Sequence, residues 1–168
     1  MTLGYTTRYA EEHDMRALKE ICRISFDSLY GYYASQSLTS SNHILVSDVE
    51  GTVAGFVELK IIHINNDMLG NILWLAIHPK FRRKGIASAL IDASIDYFRK
   101  NGINIVYVST RIDNLSALAL FQRKGFLKIE LRRLLKIYGY KVMEFYLKMH
   151  ISPREIIFTK TIHQNPNN

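Results

Sequence analysis

Cysteine is almost missing from this chain. Cys22 is the only one in 168 residues, so no internal disulfide can brace the fold, and a reducing cytoplasm is the expected setting. Long apolar runs are also missing. No stretch approaches the roughly 18 uncharged apolar residues of a membrane span, and the opening MTLGYTTRYAEEHD holds no apolar signal core, so no membrane partner is expected. The chain has no GxxxxGK[ST] phosphate loop and no GxGxxG fingerprint. No His/Cys/Asp/Glu cluster has metal-ligand spacing, so no metal is expected. Acidic residues are in short supply, 15 against 22 Lys and Arg, giving a net charge of +7. That balance suggests an anionic partner without distinguishing nucleic acid, membrane surface or phosphorylated cofactor. No stacking-aromatic motif or recognised DNA-binding helix accompanies the basic RRLLK, so nucleic acid is not expected.

Hydrophobic residues make up 48% of the chain, enough for one globular domain burying about 70% of its unfolded surface. Gly4 to Tyr9 reads as a short strand. Met15, Leu18, Ile21 and Cys22 form a helical stripe with Asp14 as its cap. FDSLYGYYASQSL is irregular or weakly helical. HILVSDV and TVAGFVELKII flank Glu50-Gly51 as a hairpin, and HINNDMLG is a polar turn. NILWLAIHP and INIVYVST are buried strands around a helix from Gly85 to Lys100, and Asn114 to Lys124 is a short helix. FLKIELRRLLKIYG and KVMEFYLKM are expected as two closing strands. The class is mixed α/β, with about seven strands and about four helices, in a single domain over residues 1–150. The tail 151–168 holds two of the chain's three prolines and one apolar patch, EIIF; it is expected to be partly disordered or docked.

The stretch LAIHPKFRRKGIASAL joins a strand to a helix through three cations and a glycine. Glycine permits a sharp turn and close backbone approach. The first helical turn offers unpaired N–H groups and roughly +0.5 of dipolar charge. Arg82, Arg83 and Lys84 add positive charge. The combination suits a pyrophosphate, although a basic turn that only starts a helix would look similar.

A second segment, RIDNLSALALFQRKGF, follows the next strand. Arg82-x-x-Gly85-x-Ala87 together with Asn114, Ala117, Phe121, Gly125 and Phe126 resembles the two motifs of the GNAT superfamily of acyl-CoA-dependent N-acetyltransferases. The likeness spans about residues 4 to 149. It implies a GNAT acyltransferase fold with acetyl-CoA as co-substrate. The backbone of Arg83, Lys84, Gly85, Ile86 and Ala87 would hold the pyrophosphate, and the Leu75, Ala76 and Ile77 edge would pair with the pantetheine arm like an added strand. Asn114 would bond the same arm, and Phe121 would line the cofactor site. Lys124 or Arg123 could meet the 3′-phosphate, or simply be solvated.

Within the superfamily the chain looks most like the protein N-terminal acetyltransferases, especially the archaeal kind. FDSLYGYY resembles their aromatic loop and KIYGYKVMEFYLK their late hairpin, which makes Phe26, Tyr30 and Tyr138 substrate-slot residues. Ordinary half-buried packing is the alternative for these tyrosines. The implied reaction is transfer of acetyl from acetyl-CoA to the α-amino group of a protein or peptide N-terminus by direct attack on the thioester. The alternatives are a small-molecule amine or a protein lysine as acceptor, or a coenzyme A-binding module with little catalysis. A monomer or homodimer is expected.

The chain departs from the family at its proton-transfer positions, where it carries Asn71, Ser109 and Phe121. Asn71 and Ser109 can order a water but cannot take its proton at pH 7. Glu58, in the third strand, is a further candidate base, or else a surface or paired carboxylate. His63 and His78 read as exposed turn residues. An α-amine of pKa ~7.8 is about one part in seven neutral at pH 7, against about one in 2,500 for lysine at ~10.4. A site poor in acid–base groups therefore favours α-amines. Ser28 stands where relatives often carry an acidic residue, so acceptor specificity does not carry over.

Overall fold

The computed structural model describes residues 4–38 and 43–163. It contains strands β1 (Thr6–Tyr9), β2 (His43–Val49), β3 (Thr52–Ile64), β4 (Asp67–Ile77), β5 (Ile105–Arg111), β6 (Leu127–Ile129) and β7 (Glu155–Thr161). The helices are α1 (Met15–Ser25), α2 (Ser28–Ser37), α3 (Ile86–Lys100), α4 (Leu115–Arg123), α5 (Leu131–Tyr138) and α6 (Val142–Met149). The strands form one mixed sheet in the order β1-β2-β3-β4-β5-β7-β6. The β4–β5 pair is parallel, as a crossover through a helix requires, and β7 runs antiparallel to both β5 and β6. The mixed α/β class and the seven strands agree with the sequence. None of the described helices is long and apolar enough to cross a membrane.

The chain divides into two compact units, the first comprising residues up to Leu59 with Trp74–Ser94, the second Lys60–Leu73 and the residues from Ile95 on. In the first unit the α1 stripe of Leu18, Ile21 and Cys22 packs with Ala34 of α2 and with Ile44, Val46, Phe56 and Ala76 of the strands. Asp27 caps α2, its Oδ1 accepting the Tyr30 N–H at 3.0 Å. The expected cap of α1 does not form. Asp14 turns back instead, accepting the Glu11 N–H at 2.8 Å and the Arg8 guanidinium at 2.6 and 3.0 Å. The same guanidinium reaches Asp48 of β2 at 3.1 Å. An almost fully buried carboxylate is held more strongly by a bidentate cation than by a single cap bond.

In the second unit a Cβ at Gly70 would lie 2.8 Å from the Phe98 ring, so only glycine lets the C-terminal half of α3 close on β4. The core there joins Tyr107, Ile157, Leu134, Tyr138, Phe145 and Met149. The largest departure from the sequence reading lies here. Beyond β6, which keeps only Leu127–Ile129, the segments expected as two strands are helices α5 and α6. Their buried residues, Leu134 and Tyr138 in one and Val142, Phe145 and Met149 in the other, recur at three- and four-residue spacing, which puts each set on one helical face; the step from Val142 to Phe145 would cross from one face of a strand to the other. Glu144 and Lys148 add an i,i+4 ion pair at 2.6 Å. The seventh strand comes from the segment read as a tail, since Glu155–Thr161 forms β7 between β5 and β6. Residues 164–168 of that segment lie outside the described residues.

The Arg8 hydrogen bond, ahead of the opposing effect of burial, holds the Asp14 carboxyl below its ordinary 3.8. A depressed folded value means stability that is present above the ordinary value and lost as pH falls through the folded one. Asp14→Asn should lower the unfolding free energy at pH 7 by about 2 kcal/mol. The variant should also flatten the loss of stability between about pH 5 and pH 3, where the wild type declines. Urea titrations at both pH values measure the two effects.

Candidate active site

Strand β4 leads in the first unit to a short 3-10 turn, Pro79–Phe81, and then to the loop before α3. Arg83 has φ +62° and Gly85 φ +82°, the left-handed backbone that the glycine at this junction was expected to supply. The Gly85 carbonyl accepts the Ala89 N–H at 3.0 Å. The helical ladder therefore begins at Ala89, and the amides of Ile86, Ala87 and Ser88 have no intrahelical acceptor. A Cβ at Gly85 would find only the Tyr5 hydroxyl within 4 Å, at 3.7 Å, so the space in front of the turn is open. Arg83 and Lys84 are exposed beside it. Arg82 is exposed as well, and its Nε donates to the Ile77 carbonyl at 3.0 Å, tying the turn to the end of β4.

Of the three residues expected to pair with a pantetheine arm, Ala76 is buried in the first unit's core while Leu75 and Ile77 are half-buried. The parallel ladder with β5 covers only Leu69–Ile72, although β4 continues to Ile77. Phe26 and Tyr30 come together on Trp74 of β4, with ring centroids 5.3 and 6.0 Å from the indole and both contacts edge-on. Trp74 was not singled out in the sequence, where it reads as one apolar residue of a buried strand. Glu58 is fully buried, which excludes the surface alternative, and it accepts the Ser37 hydroxyl at 2.7 Å. Burial first and Glu58 second push the Cys22 thiol up to about 12, leaving it inert as a nucleophile.

In the second unit Asn71 stands in register with Tyr107. It is 1% exposed, and its Nδ2 has no hydrogen-bond partner among the described residues. Tyr107 and Tyr138 share a hydrogen bond of 2.9 Å between their hydroxyls, and burial raises the pKa of both, so neither ionises near neutral pH. Tyr138 ends α5 and stacks on Phe145 at 5.1 Å; it is a core residue here, where a late hairpin had been expected to carry it. Ser109 is half-buried, and its Oγ donates to Glu155 Oε2 at 2.8 Å. Sequence reasoning missed Glu155 because the segment from 151 read as a tail; the short apolar and β-branched run of EIIFTKT was the available signal. Asn114 caps α4, its Oδ1 accepting the Ala117 N–H at 3.2 Å. Phe121 is buried between Phe126 and Phe158, at 5.7 and 6.1 Å. His78 is engaged in its own turn, its Nδ1 accepting the Lys80 N–H at 3.2 Å. Among the described residues no group of three or more His, Cys, Asp or Glu side chains could hold a metal ion.

The family model for the acetyltransferase (GNAT) family matches residues 8–126, taking in both the glycine turn and the Asn114–Phe126 segment. The chain belongs to this family. It is an acetyl-CoA-dependent N-acetyltransferase, and the fold is the GNAT acyltransferase fold. Curated relatives include N-alpha-acetyltransferase 30 of Schizosaccharomyces pombe, 27% identical over 129 residues, covering 72% of this chain and 83% of that one. Another is the N-alpha-acetyltransferase of Saccharolobus solfataricus, 28% identical over 138 residues, covering 75% and 82%. Among solved structures, the PaiA N-acetyltransferase of Thermoplasma acidophilum in complex with coenzyme A superposes with a TM-score of 0.71 at 16% identity, covering 95% of this chain and 99% of that one. The turn fits such a co-substrate: three unpaired amides, two exposed cations and an open approach over a side-chain-free residue suit a pyrophosphate.

A buried amide N–H without a partner costs about 1–3 kcal/mol, and replacing such a group by an apolar one of similar shape removes that cost. Asn71→Leu should therefore leave the unfolding free energy unchanged or raise it by about 1 kcal/mol. Chemical denaturation checks this; a fall beyond about 1 kcal/mol would mean that Asn71 is hydrogen-bonded after all.

Proposed function

We propose that the protein transfers acetyl from acetyl-CoA to the α-amino group of protein or peptide N-termini. The observation that carries this reading is the edge-on cluster of Phe26, Tyr30 and Trp74 at the α1–α2 junction. Three rings around a half-buried strand offer an apolar wall to the first residues of an extended peptide. Two relatives named as N-alpha-acetyltransferases support the same assignment. So does the acid–base inventory: Asn71 and Ser109 are neutral, and an amine already partly deprotonated at pH 7 needs the least help. A chain with a single cysteine suits a reducing cytoplasm.

In this reading the amides from Arg83 to Ala87 bind the pyrophosphate, with Arg83 and Lys84 adding charge. Leu75, Ala76 and Ile77 offer main-chain groups to the pantetheine arm, a mode that asks little of their side chains. Asn114, whose Oδ1 is held by its cap, has its amide NH2 left to donate to the arm. Phe121 backs the α4 side of the site as an apolar wall. The bound co-substrate supplies an activated acetyl thioester. Asn71 Nδ2, a buried donor without an acceptor among the described residues, is suited to hold a carbonyl oxygen or a water near the reacting amine. Phe26 and Tyr30 line the peptide's path, and Tyr138 serves by fixing Tyr107.

A peptide-library acetylation assay with labelled acetyl-CoA tests the acceptor. The expected result is α-amine products in clear excess over ε-amine products at pH 7. Predominant lysine acetylation, or acetylation of small amines alone, would overturn the assignment.

The turn is tested separately. Gly85→Asp should abolish acetyl-CoA binding by calorimetry, because a carboxylate would occupy the open space and repel the pyrophosphate. Gly85→Ala, which meets only the Tyr5 hydroxyl but must adopt φ +82°, should cost about 1–2 kcal/mol of stability and retain binding. Unchanged affinity in the Asp variant would remove the turn from the site.

A further inference from the structure

Ser109 cannot by itself take a proton at pH 7, but the structure places a carboxylate against it. Its Oγ donates to Oε2 of Glu155 at 2.8 Å, and the same carboxylate oxygen accepts the Ser152 N–H at 3.2 Å, which fixes the carboxylate in place. The antiparallel register pairs Ser109 with Ile157 and Arg111 with Glu155. Ser109 and Glu155 therefore stand on one face of the sheet as diagonal neighbours, a separation that long side chains span. Ser109 has one proton, and it is directed at Glu155; its remaining lone-pair capacity is left to accept from elsewhere. Along β5, Ser109 directly follows Val108, the last residue of the parallel ladder with β4, and that ladder also carries Asn71 with its unpartnered donor.

We propose that Glu155 is a positioning residue that turns Ser109 into the proton acceptor for the substrate amine, so that the Ser109–Glu155 pair does the work of one carboxylate or imidazole on β5. This rests on the amine-acetylation reading above. The incoming ammonium gives one proton to Ser109 Oγ while the Ser109 hydroxyl proton passes to Glu155 Oε2. The freed nitrogen lone pair bonds to the acetyl carbonyl carbon, and the C–S bond breaks with its electron pair leaving on sulfur as thiolate. The nitrogen then loses its second proton, which neutralises the thiolate, and Glu155 returns its proton to solvent. One ammonium and one thioester become one amide, one thiol and one released proton.

The test compares wild type, Glu155→Gln, Ser109→Ala and the double variant at pH 7, each with an α-amine peptide and a lysine peptide, and scores whichever amine the wild type accepts better. Gln keeps the shape of Glu155 and an oxygen for the Ser109 hydroxyl, so unfolding midpoints should match. The expected result is a fall of about 100-fold in kcat for Glu155→Gln, the low end of what general-base loss costs. KM for acetyl-CoA and for the peptide should stay within about threefold, a split that a merely structural residue would not produce. Ser109→Ala should lose a similar factor, and the double variant no more than the worse single one, because the two residues act as a unit. The relay is overturned if Glu155→Gln retains kcat within about threefold, if KM rises as far as kcat falls, or if the two losses multiply. A wild type that prefers lysine sinks the N-terminal assignment and leaves the relay judged on lysine; a wild type that acetylates neither sinks both.

Discussion

The β5–β7 ladder is the constraint from which the second unit is organised. It runs in continuous register from Ile105 against Thr161 to Arg111 against Glu155. Because the side-chain period of a strand is two, this register sends Tyr107, Ser109, Glu155, Ile157 and Thr159 to one face of the sheet and Val106, Val108 and Phe158 to the other. The first face meets α5 and α6 through the Tyr107–Tyr138 hydrogen bond and the Phe145 ring, 4.9 Å from Tyr107. The second packs Phe158 against Phe121 of α4. A slip of β7 by one residue would send Glu155 to the Phe158 face and part it from Ser109.

The first unit is organised by a backbone feature. Two consecutive excursions to positive φ, at Arg83 and Gly85, set the start of α3 and leave its first amides without acceptors. Nearly everything else about the turn supports that arrangement. Arg82 ties it to the end of β4, Lys84 lies over the Phe81 ring at 5.6 Å, and His78 is held by both its main chain and its ring nitrogen. A cradle of main-chain donors asks little of the side chains around it.

How far the sequence revealed this differed by region, for physical reasons. The glycine turn was legible because a strand, a cation run, a glycine and a helix follow one another within sixteen residues, each signalled locally. The helices α5 and α6 were misread because LRRLLKIY and VMEFYLKM mix apolar and charged residues in a way that a short window reads as alternation; the three- and four-residue spacing of Leu134, Tyr138, Phe145 and Met149 appears only over longer windows. β7 was hidden by its flanking prolines and polar ends. With it went Glu155, whose relation to Ser109 is a long-range pairing that no local pattern records. Trp74 was visible as an aromatic in a strand, but its partners come from α1 and α2, some fifty residues earlier in the chain. Asp14 shows the converse, since a sound local expectation of a helix cap gave way to a stronger distant cation.

The position of β7 has a consequence for how the chain is made. It follows α6 in sequence yet lies between β5 and β6, so until β7 has been made those two strands each wait with an open edge. β6, only three residues long, has no neighbour other than β7 in the strand order and cannot be held in the sheet until residues near 160 have left the ribosome. Assembly of this half therefore waits for β7 itself, and the exposed edge of β5 in that interval is the surface most open to pairing with a wrong chain.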